Sequence, residues 1–233
     1  MRLDVPQKKV GEVEQEWIDN LLARIDEEDW FVDNYRKHAG GMYHCDTIPF
    51  IHTVKCGSMT QGPENIQIQA IGPRPMYEKY ADVVQPFYDR LMEIYPKTTK
   101  LAMFMARLAP RQSIGGHCDS SLFGIGCHRI HIPLKTNPDV EYVIADSYDH
   151  ESNQGNGRMT SYYWEAGNVY EFSNEKWHEV HNNSDEWRIH IVANAYELTE
   201  EEINEPISRK ESMQLLYKYA NVTPDTWWLG DGE

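Results

Sequence analysis

The chain has 233 residues, of which 40 % are hydrophobic and 25 % are charged, a composition typical of one globular domain. Thirty-seven acidic residues against 22 basic ones give a formal net charge of −15, which argues against nucleic-acid binding through a broad basic surface. No apolar run approaches the roughly 18 residues of a membrane span, and no secretory signal or CxxC pair is visible. We therefore expect a cytoplasmic protein with reduced thiols and no membrane or nucleic-acid partner.

Helical periodicity dominates the first 97 residues. Apolar residues recur on one helical face across residues 10–30, and a second helical pattern covers Tyr77–Tyr95, where Pro86 favours a split or a kink. The segment between them is rich in Gly, Pro and Thr and contains two short β-like runs. We expect residues 1–97 to form a helical, lid-like part.

From residue 98 the pattern changes to short strand-like runs separated by turn-forming clusters. The runs are Leu101–Leu108, Arg129–Leu134, Val140–Ile144, Ser161–Trp164, Val169–Phe172 and Arg188–Ala195. Many short strands with long connections predict a mainly β protein, an antiparallel sandwich or jelly roll over 98–198 with flanking helices. Thr199 and Glu202 fit a capping box, so we expect a C-terminal helix and tail over 199–233. All three parts are expected to form a single domain, 1–233.

A candidate metal centre begins at His117 and Asp119. In an extended strand, side chains two residues apart point to the same side, so the imidazole and the carboxylate can bind one cation. The third ligand must come from elsewhere, and His178, 61 residues later, completes a set of two histidines and one carboxylate. Such a set leaves positions open on non-haem iron(II) for a co-substrate and dioxygen. His181 is the alternative third ligand.

Two strands with the same design accompany this set. Arg129 and His131 should point to one side of their strand, and Arg188 and His190 to one side of theirs, with isoleucines facing the opposite way. A buried guanidinium is costly without a partner, and a dicarboxylate would provide one for each arginine. The alternative is that these arginines pair with protein carboxylates on a solvated sheet face.

Taken together, these motifs resemble the aspartyl/asparaginyl β-hydroxylase family, whose members are iron(II)- and 2-oxoglutarate-dependent dioxygenases on a double-stranded β-helix, a cupin-like jelly roll. The resemblance extends from about Leu108 to Glu202. It is carried by Leu108-x-Pro110, His117-x-Asp119, Arg129-x-His131-Ile132-Pro133-Leu134, Trp164-x-x-Gly167, His178-Glu179-Val180, Arg188 and Glu197-Leu198-Thr199.

The resemblance implies a role for each matching residue. His117, Asp119 and His178 match the iron ligands. Arg188 matches the arginine that binds a carboxylate of 2-oxoglutarate, and Arg129 and His131 match a basic pair that also contacts this co-substrate. At Arg111 the chain departs from the glycine common in the family.

The expected function is hydroxylation of an aspartyl, asparaginyl or prolyl side chain, in a peptide or a free amino acid. The expected partners are 2-oxoglutarate, dioxygen and that substrate, and the oligomeric state stays open. An alternative is a cupin-like jelly roll that binds metal without redox turnover, as an isomerase or a sensing module. A third hypothesis is a structural β-sandwich without a functional site.

Overall fold

The computed structural model describes residues 3–32, 45–53, 71–119, 127–149 and 154–197. Its helices and strands, in chain order, are β1 (Gln7–Glu12), α1 (Gln15–Arg24), α2 (Asp29–Val32), β2 (Cys45–Thr53), β3 (Ile71–Pro73), α3 (Pro75–Ile94), β4 (Lys100–Leu108), β5 (Ser113–His117), β6 (His128–Lys135), β7 (Val140–Asp149), β8 (Gln154–Tyr162), β9 (Asn168–Phe172), β10 (His178–Asn182) and β11 (Arg188–Tyr196).

The strands form two antiparallel sheets. The large sheet has the strand order β1-β9-β6-β11-β4-β2-β3, and the small sheet has the order β5-β10-β7-β8. The chain crosses between the sheets repeatedly, for example from β6 in the large sheet to β7 in the small one. This is the double-stranded β-helix, so the predicted mainly β fold is confirmed.

Helices α1 and α3 pack on the outer face of the large sheet. The buried residues of α3 include Tyr80, Val84, Phe87 and Leu91, whose spacing gives the helix one apolar face. This face shares a core with Ile18 and Leu21 of α1 and with the sheet. The helix is continuous from Pro75 to Ile94, so Pro86 does not split it.

Strand alternation sorts the side chains of β6 between two environments. Ile130 and Ile132 lie in the core beneath the helices. His131 lies on the other face, between the two sheets, where its ring contacts those of Trp164 and Phe172. The alternation predicted for β6 is therefore confirmed: the isoleucines lie beneath the helices, and His131 lies in the interior between the sheets.

The N-terminal helix is shorter than its periodicity predicts. Residues 10–30 were expected to form one helix, but β1 ends at Glu12 and α1 begins at Gln15. Strand β1 pairs with the edge of the large sheet, with Lys9 opposite Tyr170. Val10 and Val13 reach the same core from a strand and the following turn as they would from a helix, so burial does not distinguish the two conformations. Pairing with the open edge of the sheet therefore decides in favour of the strand.

Three further strands lack a clear sequence signal. Strands β5 and β10 are five residues each and rich in Gly, His and Asn, which are poor strand formers. Strand β8 begins at Gln154, inside a Gly- and Asn-rich segment expected to be a turn. All three lie in the small sheet, where pairing with neighbours replaces local preference.

Arg111, the departure from the family pattern, adopts a left-handed backbone conformation with φ 57°. This region costs most L-residues about 1–2 kcal/mol and favours glycine. The backbone therefore keeps the geometry that glycine would take, and the side chain forms an exposed ion pair with Asp185 at 2.8 Å.

The helix and tail predicted over 199–233 lie outside the described residues. Among the helices that the structure describes, none is long and apolar enough to span a membrane.

Candidate metal and co-substrate site

His117, Asp119 and His178 meet at one end of the small sheet. His117 ends β5 and lies directly opposite His178, the first residue of β10. Asp119 follows two residues after His117, and its backbone N–H donates to the carbonyl of Asn174 at 3.0 Å. One donor atom from each of the three side chains lies within 4.8 Å of the other two. The fold thus brings two imidazoles and one carboxylate close enough for one cation.

Backbone carbonyls orient the rings of His117 and His178. Nδ1 of His117 donates to the carbonyl of Gly115, and Nδ1 of His178 donates to that of Lys176, both at 2.8 Å. A carbonyl accepts only, so each ring carries a proton on Nδ1, and this tautomer of the neutral imidazole directs the lone pair of Nε2 away from the carbonyl. Burial lowers the pKa of His178 to about 4, against the opposing effect of Asp119, so this imidazole is neutral at pH 7.

Arg129 lies beside the carboxylate of this cluster. Its Nε is 3.6 Å from Oδ2 of Asp119, and one terminal nitrogen donates to Oδ1 of Asn194 at 2.7 Å. The alternative that the arginines pair with protein carboxylates therefore holds in part for Arg129. Its carboxylate partner is the candidate ligand itself, and both side chains are largely buried rather than on a solvated face.

His131 and His190 carry buried polar atoms toward the same interior. Within the described residues, neither ring nitrogen of His131 has a hydrogen-bond partner, and the same holds for Nε2 of His190 and Nε1 of Trp164. The hydroxyl of Tyr142 lies 3.2 Å from Nδ1 of His190. Leaving such groups unsatisfied costs about 1–3 kcal/mol each. A polar ligand between the sheets would satisfy them.

Burial keeps these two histidines uncharged. It lowers the pKa of His131 well below the ordinary value of 6.5, and the nearby Arg129 adds to the effect. Burial likewise lowers the pKa of His190 well below that value, helped by Arg188. In this interior the positive charge is carried by the two arginines, and the histidines act as neutral hydrogen-bonding groups.

Arg188 begins β11 and is 2 % exposed. Its guanidinium lies 5.2 Å from the centre of the Tyr142 ring, on the inward face of the strand that also carries His190. Tyr142 itself stacks on Trp164 with ring centres 3.7 Å apart. Arg188 therefore provides a buried cation in an otherwise aromatic wall.

His181, the alternative third ligand, is separate from this interior. Its Nε2 lies 2.9 Å from a carboxylate oxygen of Glu179, and its Nδ1 lies 2.9 Å from the hydroxyl of Ser113. Three residues along a strand reverse the side-chain direction, so His178 and His181 lie on opposite faces of β10. The cluster of possible ligands in the described residues includes His178 and not His181.

Sequence reasoning missed several residues of this site. Tyr142 and Trp164 line the interior, yet Tyr142 carries no signal beyond an ordinary apolar strand residue, and Trp164 was part of a family motif without a predicted role in the site. His190 was visible in the Arg188-x-His190 alternation but was not given a role. Trp177, which precedes His178 in the chain, was also not predicted to contribute to the site.

The protein is a double-stranded β-helix in which two histidines and a carboxylate lie close together and arginines face the same interior. This combination is typical of the non-haem iron(II) oxygenases that use 2-oxoglutarate. The fold agrees with a solved structure of an oxidoreductase of the 2OG-Fe(II) oxygenase family from Burkholderia pseudomallei. That structure has a TM-score of 0.50 and 14 % sequence identity, and the match covers 84 % of this chain and 86 % of the other.

Two prolyl hydroxylase structures are also similar at low identity. A prolyl-4-hydroxylase from Pseudomonas putida has a TM-score of 0.45 and 13 % identity, over 83 % of this chain and 92 % of its own. A viral collagen prolyl hydroxylase from Paramecium Bursaria Chlorella virus-1 has a TM-score of 0.44 and 12 % identity, over 84 % and 98 %. No curated protein sequence matches the chain significantly.

Residues 85–197 match the sequence profile of aspartyl/asparaginyl β-hydroxylases. This region, which contains every residue of the candidate site, carries the similarity to the aspartyl/asparaginyl β-hydroxylase family. The protein is accordingly a hydroxylase that uses iron(II) and 2-oxoglutarate.

Proposed function

We propose that this hydroxylase acts on an aspartyl, asparaginyl or prolyl side chain, in a peptide or a free amino acid. We further propose that His117, Asp119 and His178 hold the iron, and that Arg188, Arg129 and His131 bind 2-oxoglutarate. The observation that carries the proposal is the interior between the sheets. Buried arginines face it, next to a cluster of three possible ligands. So do two neutral histidines, His131 and His190, which have ring nitrogens without a hydrogen-bond partner among the described residues.

The residues of the cluster fit iron(II). Two imidazoles and one carboxylate are the donor set that leaves further positions open on this ion. Iron(II) at this place would supply coupled chemistry in which dioxygen oxidises 2-oxoglutarate to succinate and carbon dioxide and hydroxylates a C–H bond. Arg129, beside Asp119, would orient the ligand carboxylate.

The residues facing the interior fit a dicarboxylate. The planar guanidinium of Arg188 can bind one carboxylate through two parallel hydrogen bonds. Arg129 and His131 would contact the co-substrate on the side nearer Asp119, and His131 would donate as a neutral imidazole. The stacked rings of Tyr142 and Trp164 exclude water and strengthen these charged hydrogen bonds.

The binding of iron and co-substrate is tested without oxygen. We expect a visible absorption band when iron(II) and 2-oxoglutarate are added together to the metal-free protein, and no such band with either one alone. A cupin-like protein that binds metal without redox turnover would bind iron(II) but give no 2-oxoglutarate-dependent band. That result, together with no succinate release in air, would contradict the proposal.

The substrate is tested by succinate release in air across free amino acids and short peptides. We expect an aspartyl, asparaginyl or prolyl compound to raise the rate above the uncoupled background. The product should gain one oxygen atom, measured by mass spectrometry. Stimulation only by compounds without these side chains would contradict the substrate part of the proposal and leave the metal part intact.

We also propose a reducing, cytoplasmic compartment. Within the described residues, Cys45, Cys118 and Cys127 form no disulfide, and Cys45 and Cys127 are buried. Reduced cysteines in the described part of the chain support this proposal.

A further inference from the structure

The indole of Trp177 lies against the backbone of Gly116 on the outer side of the small sheet. Gly116 precedes His117 in β5, so its Cβ direction is opposite to that of the histidine side chain. A Cβ placed on Gly116 would come within 1.8 Å of Cζ2 and 2.2 Å of Cε2 of Trp177. A Cβ on the neighbouring Gly115 would meet no atom within 4 Å. Close approach of the indole therefore requires glycine at residue 116.

The same indole also reaches β8, the edge strand opposite β5 in the small sheet. A Cβ on Gly155 of β8 would lie 2.8 Å from Cε3 of Trp177 and 2.8 Å from Cε of Met159. The backbone carbonyl of Trp177 accepts from the N–H of Ala145 in β7 at 3.0 Å. Trp177, immediately before β10, thus connects all four strands of the small sheet, and its side chain is buried.

Strand β5 has few other constraints among the described residues. It is the edge strand of the small sheet and pairs only with β10, with an irregular register between His178 and Val180. Ile114 is its one apolar side chain of any size. Yet β5 ends at His117 and leads into Asp119, so the placement of two of the three possible ligands depends on how this strand is held.

We propose that Trp177 is a positioning residue for the metal centre: its indole, between Gly116 and Gly155, fixes β5 against β10 and so sets the separation of His117 and His178. The inference rests on the proposed metal site. The indole acts from the outer face and touches neither the metal nor the co-substrate. An aromatic side chain suits this role, because it is rigid and has only two rotatable bonds. Its packing therefore holds the neighbouring strands at a fixed separation, whereas a flexible side chain would change its rotamer.

Cobalt(II) is the probe, because its visible spectrum reports coordination geometry without turnover. The full-length protein is stripped of metal, and the dissociation constant and spectrum of bound cobalt(II) are measured for Trp177→Leu and Gly116→Ala. We expect each variant to bind cobalt(II) at least about tenfold more weakly, with an altered spectrum, because changes to the groups that orient metal ligands typically weaken binding by about 10- to 100-fold. In the Trp177→Leu background the clash is gone, so adding Gly116→Ala should change affinity by no more than about twofold.

The matched control is Trp30→Leu, the same substitution at a tryptophan buried under the helices. Trp30 is 2 % exposed and lies against Arg107 on the helix side of the large sheet. Trp30→Leu should lower the thermal stability of the metal-free protein while leaving cobalt(II) affinity within about twofold, because Trp30 packs in the core beneath the helices and not in the small sheet. If Trp177→Leu does not fold, Trp177→Phe takes its place.

Three outcomes would overturn the inference. Trp177→Leu could bind cobalt(II) with wild-type affinity and spectrum. Trp30→Leu could weaken cobalt(II) binding as much as Trp177→Leu does, which would mean that general destabilisation explains both. Gly116→Ala could weaken binding equally with and without the indole. Failure of the wild-type protein to bind cobalt(II) is a separate result, because it would refute the metal site itself and the positioning role with it.

Discussion

His178 and His181 differ by three residues, yet they have different surroundings. Nε2 of His178 faces the cluster with His117 and Asp119, whereas both nitrogens of His181 are near Glu179 or Ser113. We expect His178→Ala to abolish tight iron(II) binding, measured by anaerobic titration, because it removes one of the three proposed ligands. His181→Ala, the matched control, should retain the wild-type affinity. Loss of binding in His181→Ala with retention in His178→Ala would contradict the assignment.

Arg188 offers a second test at the level of one side chain. Arg188→Lys keeps the positive charge but loses the planar fork that binds a carboxylate through two hydrogen bonds. A charged hydrogen bond contributes about 1.5–3 kcal/mol, so the affinity for 2-oxoglutarate should fall roughly 10- to 150-fold.

Titration of 2-oxoglutarate into the anaerobic iron(II) protein measures this change through the visible band. Iron(II) affinity serves as the internal control, and it should stay unchanged because Arg188 is not a ligand. An affinity for 2-oxoglutarate within a factor of about two of wild type, the range expected of an uninvolved residue, would remove Arg188 from the site.

In strand β6, we expect substitutions at two neighbouring residues to affect stability and 2-oxoglutarate binding separately. Ile132 lies in the core beneath the helices, and His131 lies in the interior between the sheets. Ile132→Ala should lower the free energy of unfolding by about 2–5 kcal/mol, because it leaves a cavity in a packed core. Its affinity for 2-oxoglutarate should change little. Urea denaturation and the anaerobic titration measure the two quantities.

His131→Leu should show the opposite result. Replacing a buried imidazole that lacks hydrogen-bond partners with an apolar side chain of similar size should leave the stability of the ligand-free protein unchanged or raised. It should remove most of the 2-oxoglutarate binding, whereas His131→Gln, which keeps a donor, should retain part of it. Wild-type binding in His131→Leu would place this side chain outside the co-substrate site.

At the scale of the whole molecule, buried neutral histidines make the stability of the metal-free protein depend on pH. Burial lowers the pKa of His131, His178 and His190 below the ordinary value of 6.5. The unfolded chain takes up protons at these residues near pH 6.5, while the folded chain does not. Their contribution to stability is therefore complete above about pH 6.5 and is lost as the pH falls below it.

We expect the free energy of unfolding to decrease between pH 7 and pH 5, by at most about 1.4 kcal/mol per pH unit for each histidine. Urea denaturation in the presence of a chelator measures it. The acidic groups with lowered pKa values, such as Asp29, titrate below this window, because their unfolded-state values are near 4. His131→Leu should show a shallower decrease than wild type. Equal slopes would mean that His131 takes up its proton in the folded state as well.

The local patterns of the chain account for much of the fold. Strands β4, β6, β9 and β11 lie within one or two residues of the apolar runs that predict them, because their buried faces and strand-forming residues are encoded locally. Strands β5 and β10 have no such signal, since Gly, His and Asn residues adopt a strand there only through pairing. The first helix was predicted too long for a related reason: β1 pairs with β9, whose residues are more than 150 positions away in sequence.

For the site, the sequence by itself determined which residues could share a side. His117 with Asp119, Arg129 with His131, and Arg188 with His190 follow from alternation along one strand, which is a local property of extended backbone. Only the tertiary structure decided which face of each strand turns inward, that Arg129 contacts Asp119, and that Trp177 covers Gly116. These contacts join strands that are distant in the chain, and their register is set by sheet pairing and by packing between the sheets, which no local pattern specifies.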